Sequence, residues 1–300
     1  MSLANAFYLL KETLKAWSDD YASSMGAALS YYTLFSIAPL LLIVISIAGL
    51  IFGPDAARGE ILEQLRGLMG EQGARAVEGL LASASEPASS VPGLVFGLGV
   101  LFFGATTVFA ELQDAFDRIW RAPGLEPPGG FLALARGRLL SFGMILGIAF
   151  LLMVSLVVTA ALAALGEWWG SRVEGWETLL QIANFVVSFA LITVLFALIY
   201  KTMPRVKVKW RDVWIGAALT ALLFVVGKSM IGIYIGKSGI ASGFGAAASL
   251  VVLLVWVYYS AQIFLLGAEF TCVYAYKLGS KCGRPMEKRR SGDSRLLRSG

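Results

Sequence analysis

The residues of this chain that could do chemistry are few, and they sit where charge is expensive. Lys228 and Glu269 each interrupt a long apolar run, Glu111 closes a third, and Pro39 falls inside a fourth. Hydroxyls crowd the side that precedes the proline: Ser30, Tyr31, Tyr32, Thr33 and Ser36. A second group, Tyr258, Tyr259 and Ser260, lies in the run that carries Glu269. An ionised side chain inside a membrane span marks a substrate or ion path by default. Each residue also has a plainer reading. Lys228 can snorkel, because four methylenes carry its ammonium toward the headgroups. Glu269 and Glu111 can form interfacial salt bridges, with Arg118, Arg121, Lys201 or Arg205 near Glu269 in depth. Pro39 cannot donate to the Phe35 carbonyl, and the Thr33 and Ser36 hydroxyls are placed to compensate.

Enzyme chemistry is opposed by subtraction. The chain has no histidine, which removes the commonest general base and the commonest metal ligand together. His-rich metal motifs of ribonucleases and intramembrane proteases, and Ser-His pairs, therefore have no place here. An intramembrane aspartyl dyad fails as well, since every aspartate lies in a predicted loop or tail. Cys272 and Cys282 have no metal-ligand spacing. The loose dinucleotide pattern Gly243-Phe244-Gly245-Ala246-Ala247-Ala248 follows no strand and opens a span, so it reads as a helix start. No catalytic residue, metal or cofactor is expected.

The elements that must position these residues are membrane helices. The composition is 57% hydrophobic and 15% charged, against about 45–50% and about 25% in soluble domains. The pattern predicts an all-α integral membrane bundle with six spans: residues 26–52, 93–110, 139–165, 182–203, 213–235 and 244–274. Residues 1–22 carry Leu3, Phe7, Leu10, Leu14 and Trp17 at helical spacing and read as an amphipathic cytoplasmic helix at the membrane interface; a helix packed on the bundle fits the same stripe. Residues 53–91 read as an external amphipathic hairpin with a turn at 70–73. Ile61, Leu62, Leu65, Leu68 and Met69 form one stripe, and Val77, Leu80 and Leu81 the other. The six-span membrane domain thus covers residues 23–276, and residues 277–300 form a basic tail expected to be disordered.

Most of the 25 Lys and Arg fall in the N-terminal segment, the loops after spans two and four, and the tail. That asymmetry puts both termini in the cytoplasm. The partners expected are membrane lipids, with anionic headgroups at the basic tail and loops. Nucleic acid is not expected, because the tail lacks aromatic residues for stacking. The pairs Gly143/Gly147 and Gly232/Gly236 suit helix contacts either within one bundle or between protomers of a homo-oligomer.

Three stretches carry a resemblance. They are Ser30-Tyr31-Tyr32-Thr33-Leu34-Phe35-Ser36-Ile37-Ala38-Pro39-Leu40, then Phe103-Gly104-Ala105-Thr106 with the acidic run from Glu111 to Trp120, and the stretch from Val255 to Phe264 with Gly267-Ala268-Glu269-Phe270-Thr271. In this order they resemble the YihY/BrkB family over residues 5–280. The resemblance implies a multi-pass protein of the bacterial inner membrane with six spans, and a link to virulence and serum resistance. The label ribonuclease BN, carried by some members, is read as an inherited misnaming.

The residues favour a transporter or permease for an organic solute or a lipid, working through a cleft lined by spans one, five and six. The alternative is a non-transporting envelope scaffold or assembly protein. Helical rise puts Tyr31 and Tyr32 ~8 Å from the inner end of span one, and Tyr258 and Tyr259 ~20 Å from the outer end of span six. Two Tyr-Tyr pairs with Thr33 and Ser260 are therefore expected to line one polar cavity beneath Pro39, open toward Glu269 and Glu111. Single cysteines test the orientation. Ser85→Cys should react with an impermeant maleimide from the periplasm and Ser291→Cys only after the membrane is opened; the reverse pattern overturns the topology.

Overall fold

The computed structural model describes residues 3–84, 91–121, 176–237 and 247–281, with Gly143, Gly147, Phe150, Leu151 and Val154. Its helices are α1 (Leu3–Asp19), α2 (Ala22–Phe52), α3 (Pro54–Ala84), α4 (Val91–Ile119), α5 (Trp176–Thr202), α6 (Trp210–Lys237) and α7 (Ala248–Lys277). No strand occurs among the described residues. Four of these helices are long and apolar enough to cross a membrane: α2, α5, α6 and α7. Span three and the tail from residue 282 lie outside the described residues, apart from the five helical positions between 143 and 154.

The chain belongs around α7, which packs against α1, α2, α3, α4 and α6. Register follows from side-chain contacts. Gln262 reaches Ser23, and a Cβ on Gly26 would meet its amide. Asp20, six residues before Gly26, lies at Glu269, seven beyond Gln262, so α2 and α7 run antiparallel. Helix α6 is also antiparallel to α7, with Asp212 at Ser280 and Gly227 at Tyr259 and Ile263. Helix α4 runs parallel to α7: Phe116 meets Phe264 edge-on and the Cys272 thiol donates to the Ile119 carbonyl at 3.5 Å. Consequently one end of the bundle gathers the α1–α2 turn, the C-termini of α4, α5 and α7, and the N-terminus of α6.

That end is tied by polar contacts. Asp212, in the first turn of α6, is fully buried. It accepts from the Ser280 backbone N–H at 3.2 Å and from the Ser280 hydroxyl at 2.5 Å, just past the end of α7. An acid there also complements the helix dipole. Asp117 pairs with Arg205 at 3.2 Å, joining α4 to the loop after α5. Burial pushes the Asp117 carboxyl above its usual range, with Arg205 pulling the other way. The Lys201 ammonium donates to the Val208 carbonyl and lies 5.5 Å from the centre of the Trp210 ring.

Helix α3 is a single run broken at Gly70, whose φ of 79° and ψ of 173° leave the helical region at the turn expected there. Ile61, Leu62, Met69, Val77 and Leu81 are buried, and the helix packs on α2 and α7. Its charges are exposed. Arg66 binds Glu63 at 2.5 Å and reaches across the break to Glu71 at 2.7 Å. The Arg75 hydrogen bond holds the Glu71 carboxylate below its usual range. Helix α1 shows two faces. Leu9, Thr13, Ala16 and Trp17 turn inward, with Leu9 and Ala16 against Phe270, Val273 and Tyr274 of α7. Phe7, Leu10 and Leu14 of the predicted stripe are exposed.

The tightest crossing is α6 on α7. A Cβ on Gly267 would stand 1.9 Å from the Thr220 hydroxyl and 2.5 Å from that of Tyr200, and one on Gly216 would stand 1.8 Å from the Thr271 hydroxyl. Glycine on each helix therefore receives a threonine from the other, the small-residue contact that lets membrane helices approach. The Tyr200 hydroxyl lies 2.9 Å from that of Thr220 and donates to the Phe264 carbonyl at 2.8 Å. An interhelical hydrogen bond in a membrane contributes about 0.6 kcal/mol, whereas overpacking costs about 1–3 kcal/mol. Sterics should therefore win. Gly267→Ala is expected to lower the detergent unfolding temperature by several degrees and more than Tyr200→Phe does. Gly232→Ala, with open space around its Cβ, should leave it unchanged or higher. Equal effects of the two alanines in a thermal melt would refute the close-contact account.

Candidate functional site: a polar seam along α2 and α7

In α7 the polar positions Gln262 and Glu269 are seven residues apart and share one helical face. That face meets the start of α2. The Gln262 amide N–H donates weakly to the Ser23 carbonyl at 3.4 Å, while its Oε1 is buried with no hydrogen-bond partner among the described residues. Glu269 is 1% exposed, and its Oε1 is likewise without a partner there. Trp256 Nε1 on α7 and Ser36 Oγ on α2 are also buried and unpartnered among the described residues, the Trp256 ring standing edge-on to Phe224 of α6. Buried polar atoms are paired in the large majority of cases, so this concentration needs a physical reason.

The surroundings of Glu269 come from three chain segments. Asp20, 4% exposed, brings its carboxyl within hydrogen-bonding reach of Glu269, and Asp19 adds charge from the same turn. Asp20 is delivered by α1, whose inward face repeats at Leu9, Thr13, Ala16 and then Asp20. Tyr21 follows in the left-handed region, with φ 56° and ψ 42°. That conformation is uncommon for a bulky residue and turns the chain from α1 into α2. Arg121, at φ 46°, brings the compensating positive charge from the end of α4. Beyond it, the Lys281 ammonium lies 4.9 Å from the centre of the Trp120 ring and 5.2 Å from that of Tyr276.

The other expected site residues are placed as follows. Helix α2 runs unbroken through Pro39, which is half-buried, as are Tyr32 and Thr33. Tyr31 is 56% exposed, its ring edge-on to Tyr32 at 5.5 Å and to Phe35 at 5.0 Å. Tyr259 lies against α6, where its hydroxyl would stand 3.4 Å from a Cβ on Gly227. Tyr258 and Ser260 are half-buried. Lys228 is half-buried and makes no ion pair or hydrogen bond with the described residues. Glu111 is half-buried, with Asp114 and Arg118 of its own helix as the charges acting on it. The structure thus brings together Glu269 and Arg121, one of the four partners expected from depth. Glu111 is not among the charges that act on Glu269.

Sequence reasoning missed Asp20 and passed over Gln262. The spacing 9, 13, 16, 20 was the available signal for Asp20, a second stripe of small and polar residues beside the apolar one. Among the described residues no three His, Cys, Asp or Glu side chains converge to hold a metal ion.

Comparison with known proteins gives a consistent picture. The chain matches the family model described as Virulence factor BrkB over residues 13–291. A UPF0761 membrane protein of Pseudomonas aeruginosa (strain LESB58) is 31% identical over 260 residues, covering 84% of this chain and 59% of that protein. Its counterpart in Verminephrobacter eiseniae is 28% identical over 267 residues, 87% of this chain and 60% of the relative. One from Acinetobacter baylyi is 26% identical over 268 residues, with 88% and 61% covered. This chain therefore spans about three-fifths of the length of these curated relatives. No solved structure matches it. With a model match over nearly the whole chain, and relatives named as membrane proteins aligned over most of it, the chain belongs to the BrkB family.

Proposed function

We propose that this chain is a transporter or permease for an organic solute or a lipid, with its path along the seam between α2 and α7 and α6 as the third wall. The observation that carries this reading is the pair of buried, unpartnered oxygens of Gln262 and Glu269 on one face of α7, with further buried unpartnered atoms at Ser36 on α2 and Trp256 toward α6. In a bilayer such atoms are tolerated where they line a water-filled or substrate-filled passage. A purely structural seam of this kind would leave several costs of about 1–3 kcal/mol each without compensation. Non-transporting scaffolds have no need for them.

In this reading the protein lies in the bacterial inner membrane with six spans and both termini in the cytoplasm. The gathering of the α1–α2 turn and the ends of α4, α5, α6 and α7 at one pole supports it, because nine of the 16 Lys and Arg among the described residues lie there. The α3 arms then face the periplasm, with Arg66, Glu71 and Arg75 outward. Tyr31, Tyr32, Thr33, Pro39, Tyr258, Tyr259, Ser260, Lys228 and Glu111 remain candidate path residues, second to the seam itself. Anionic lipid headgroups are the expected neighbours of the basic loops and tail.

The test is flux. Purified protein in proteoliposomes should move a solute from a panel of organic anions and cations, or scramble a fluorescent lipid. Gln262→Leu and Glu269→Gln should each slow that movement by at least about tenfold with the unfolding temperature preserved. Lys228→Ala should have a smaller effect, because its ammonium is not held in the seam. Flux that survives both seam substitutions would refute the assigned path, and absence of any flux would favour the scaffold.

A further inference from the structure

We propose that Asp20 and Glu269 form a proton-binding site: a carboxyl pair that holds one exchangeable proton between the α1–α2 turn and α7. The site deepens the transport reading by naming its coupling ion, and it rests on that reading for this role alone. Three observations carry it. The two carboxyls lie within hydrogen-bonding reach of each other. Both are almost fully buried, at 4% and 1% exposed. Oε1 of Glu269 is buried with no hydrogen-bond partner among the described residues, so the pair keeps one acceptor to spare.

Like charges in contact and out of water do not both ionise; one proton is shared between them. The charges that face the pair do not alter this. From α1 comes Asp19, a third acid; from the end of α4 comes Arg121, the nearest positive group. The Cys272 thiol lies on α7 itself, with Lys281 beyond it, and the Lys281 ammonium is engaged with the Trp120 and Tyr276 rings. One guanidinium beside three carboxylates leaves two negative charges, and a proton held by the pair removes one of them. A metal ion fits poorly, since among the described residues no three His, Cys, Asp or Glu side chains are grouped so that they could hold one.

Exchange is a simple acid–base step. Water brings the proton as hydronium; the O–H bond forms on one carboxyl oxygen and the other carboxylate accepts its hydrogen bond. Loss of the proton to water leaves two carboxylates that repel across the contact between the α1–α2 turn and α7. Proton release therefore loosens that turn from α7 at the gathered pole, and uptake closes it.

Infrared difference spectroscopy on the full chain in lipid nanodiscs tests the site without any substrate. At neutral pH the wild type should show a protonated-carboxyl stretch that shifts in heavy water and disappears on alkaline titration. Glu269→Gln and Asp20→Asn should each lose that band, and Asp19→Asn should keep it. Asp20→Glu, which retains the carboxyl, should keep it at a displaced frequency and guards against variants that fail to fold. A wild type with no such band overturns the proposal. So does a band that survives Asp20→Asn, because a lone buried Glu269 would then hold the proton. Presence of the paired band supports the site even where no flux is found, and its absence removes the site even where flux is strong.

Discussion

Close approach of α7 to its neighbours is the constraint on which the rest of this structure depends. A helix covered by five others cannot keep a full side chain at every contact. At Gly216 and Gly267 the α6–α7 crossing gives up side-chain volume, and Thr271 and Thr220 occupy the space. Lipid tails are as apolar as leucine, so membrane helices gain little from hiding hydrophobic surface from lipid, and packing and hydrogen bonds must hold them. Tyr200 shows the consequence. Its hydroxyl can reach the Phe264 carbonyl only because no Cβ stands at Gly267.

The same close packing fixes depth. With α6 locked to α7 near Gly216 and Gly267, Asp212 falls beside Ser280 and seals the end of the bundle. On the other flank, Gly26 lets the Gln262 amide lie against the α2 backbone, and the register set there carries Asp20 to Glu269. The two glycine contacts differ in stiffness. Thr220 and Thr271 are β-branched and bonded to their own helix, at 2.8 Å and 2.7 Å, so they cannot move aside. The Gln262 amide ends a flexible chain and gives up only a weak bond when it moves. Helix α7 is therefore held rigidly on the α6 side and loosely on the α2 side, where the unpartnered oxygens of Gln262 and Glu269 lie.

Much of the fold was legible in the sequence because lipid imposes one dominant rule. Long uncharged runs must be helices, and the runs around Pro39, Thr193, Thr220 and Tyr259 became α2, α5, α6 and α7 within a few residues of expectation. The break at Gly70 was legible from its glycines. Packing partners were not. The stripe of Phe7, Leu10 and Leu14 stood out on hydrophobicity, yet it is the exposed face of α1, and the smaller stripe through Leu9 and Ala16 meets α7. Periodicity shows that a face exists; it does not say whether lipid or protein covers it. For the site, Glu269 was legible as a charge in an apolar run. Asp20 was missed, because the stripe through Leu9, Thr13 and Ala16 that leads to it is less apolar than the one beside it.

Why the fold concentrates its charge chemistry at Glu269 and not at Lys228 follows from reach. Lysine can bend four methylenes toward water, so a half-buried Lys228 on α6 has a route by which to lower the cost of its charge. Glutamate has two methylenes and no such route from a position on α7 covered by α1 and α4. Two carboxylates ~4 Å apart at an effective dielectric of ~20 repel by about 4 kcal/mol, a large fraction of the stability of a typical domain. Such a contact persists only if something removes one charge. Arg121 is present in all states of the protein and cannot be switched, whereas a shared proton can come and go. The gathered pole thus holds a fixed cation and a removable one beside the same buried pair, which makes it the place in this bundle where a small ion can change how two helices meet.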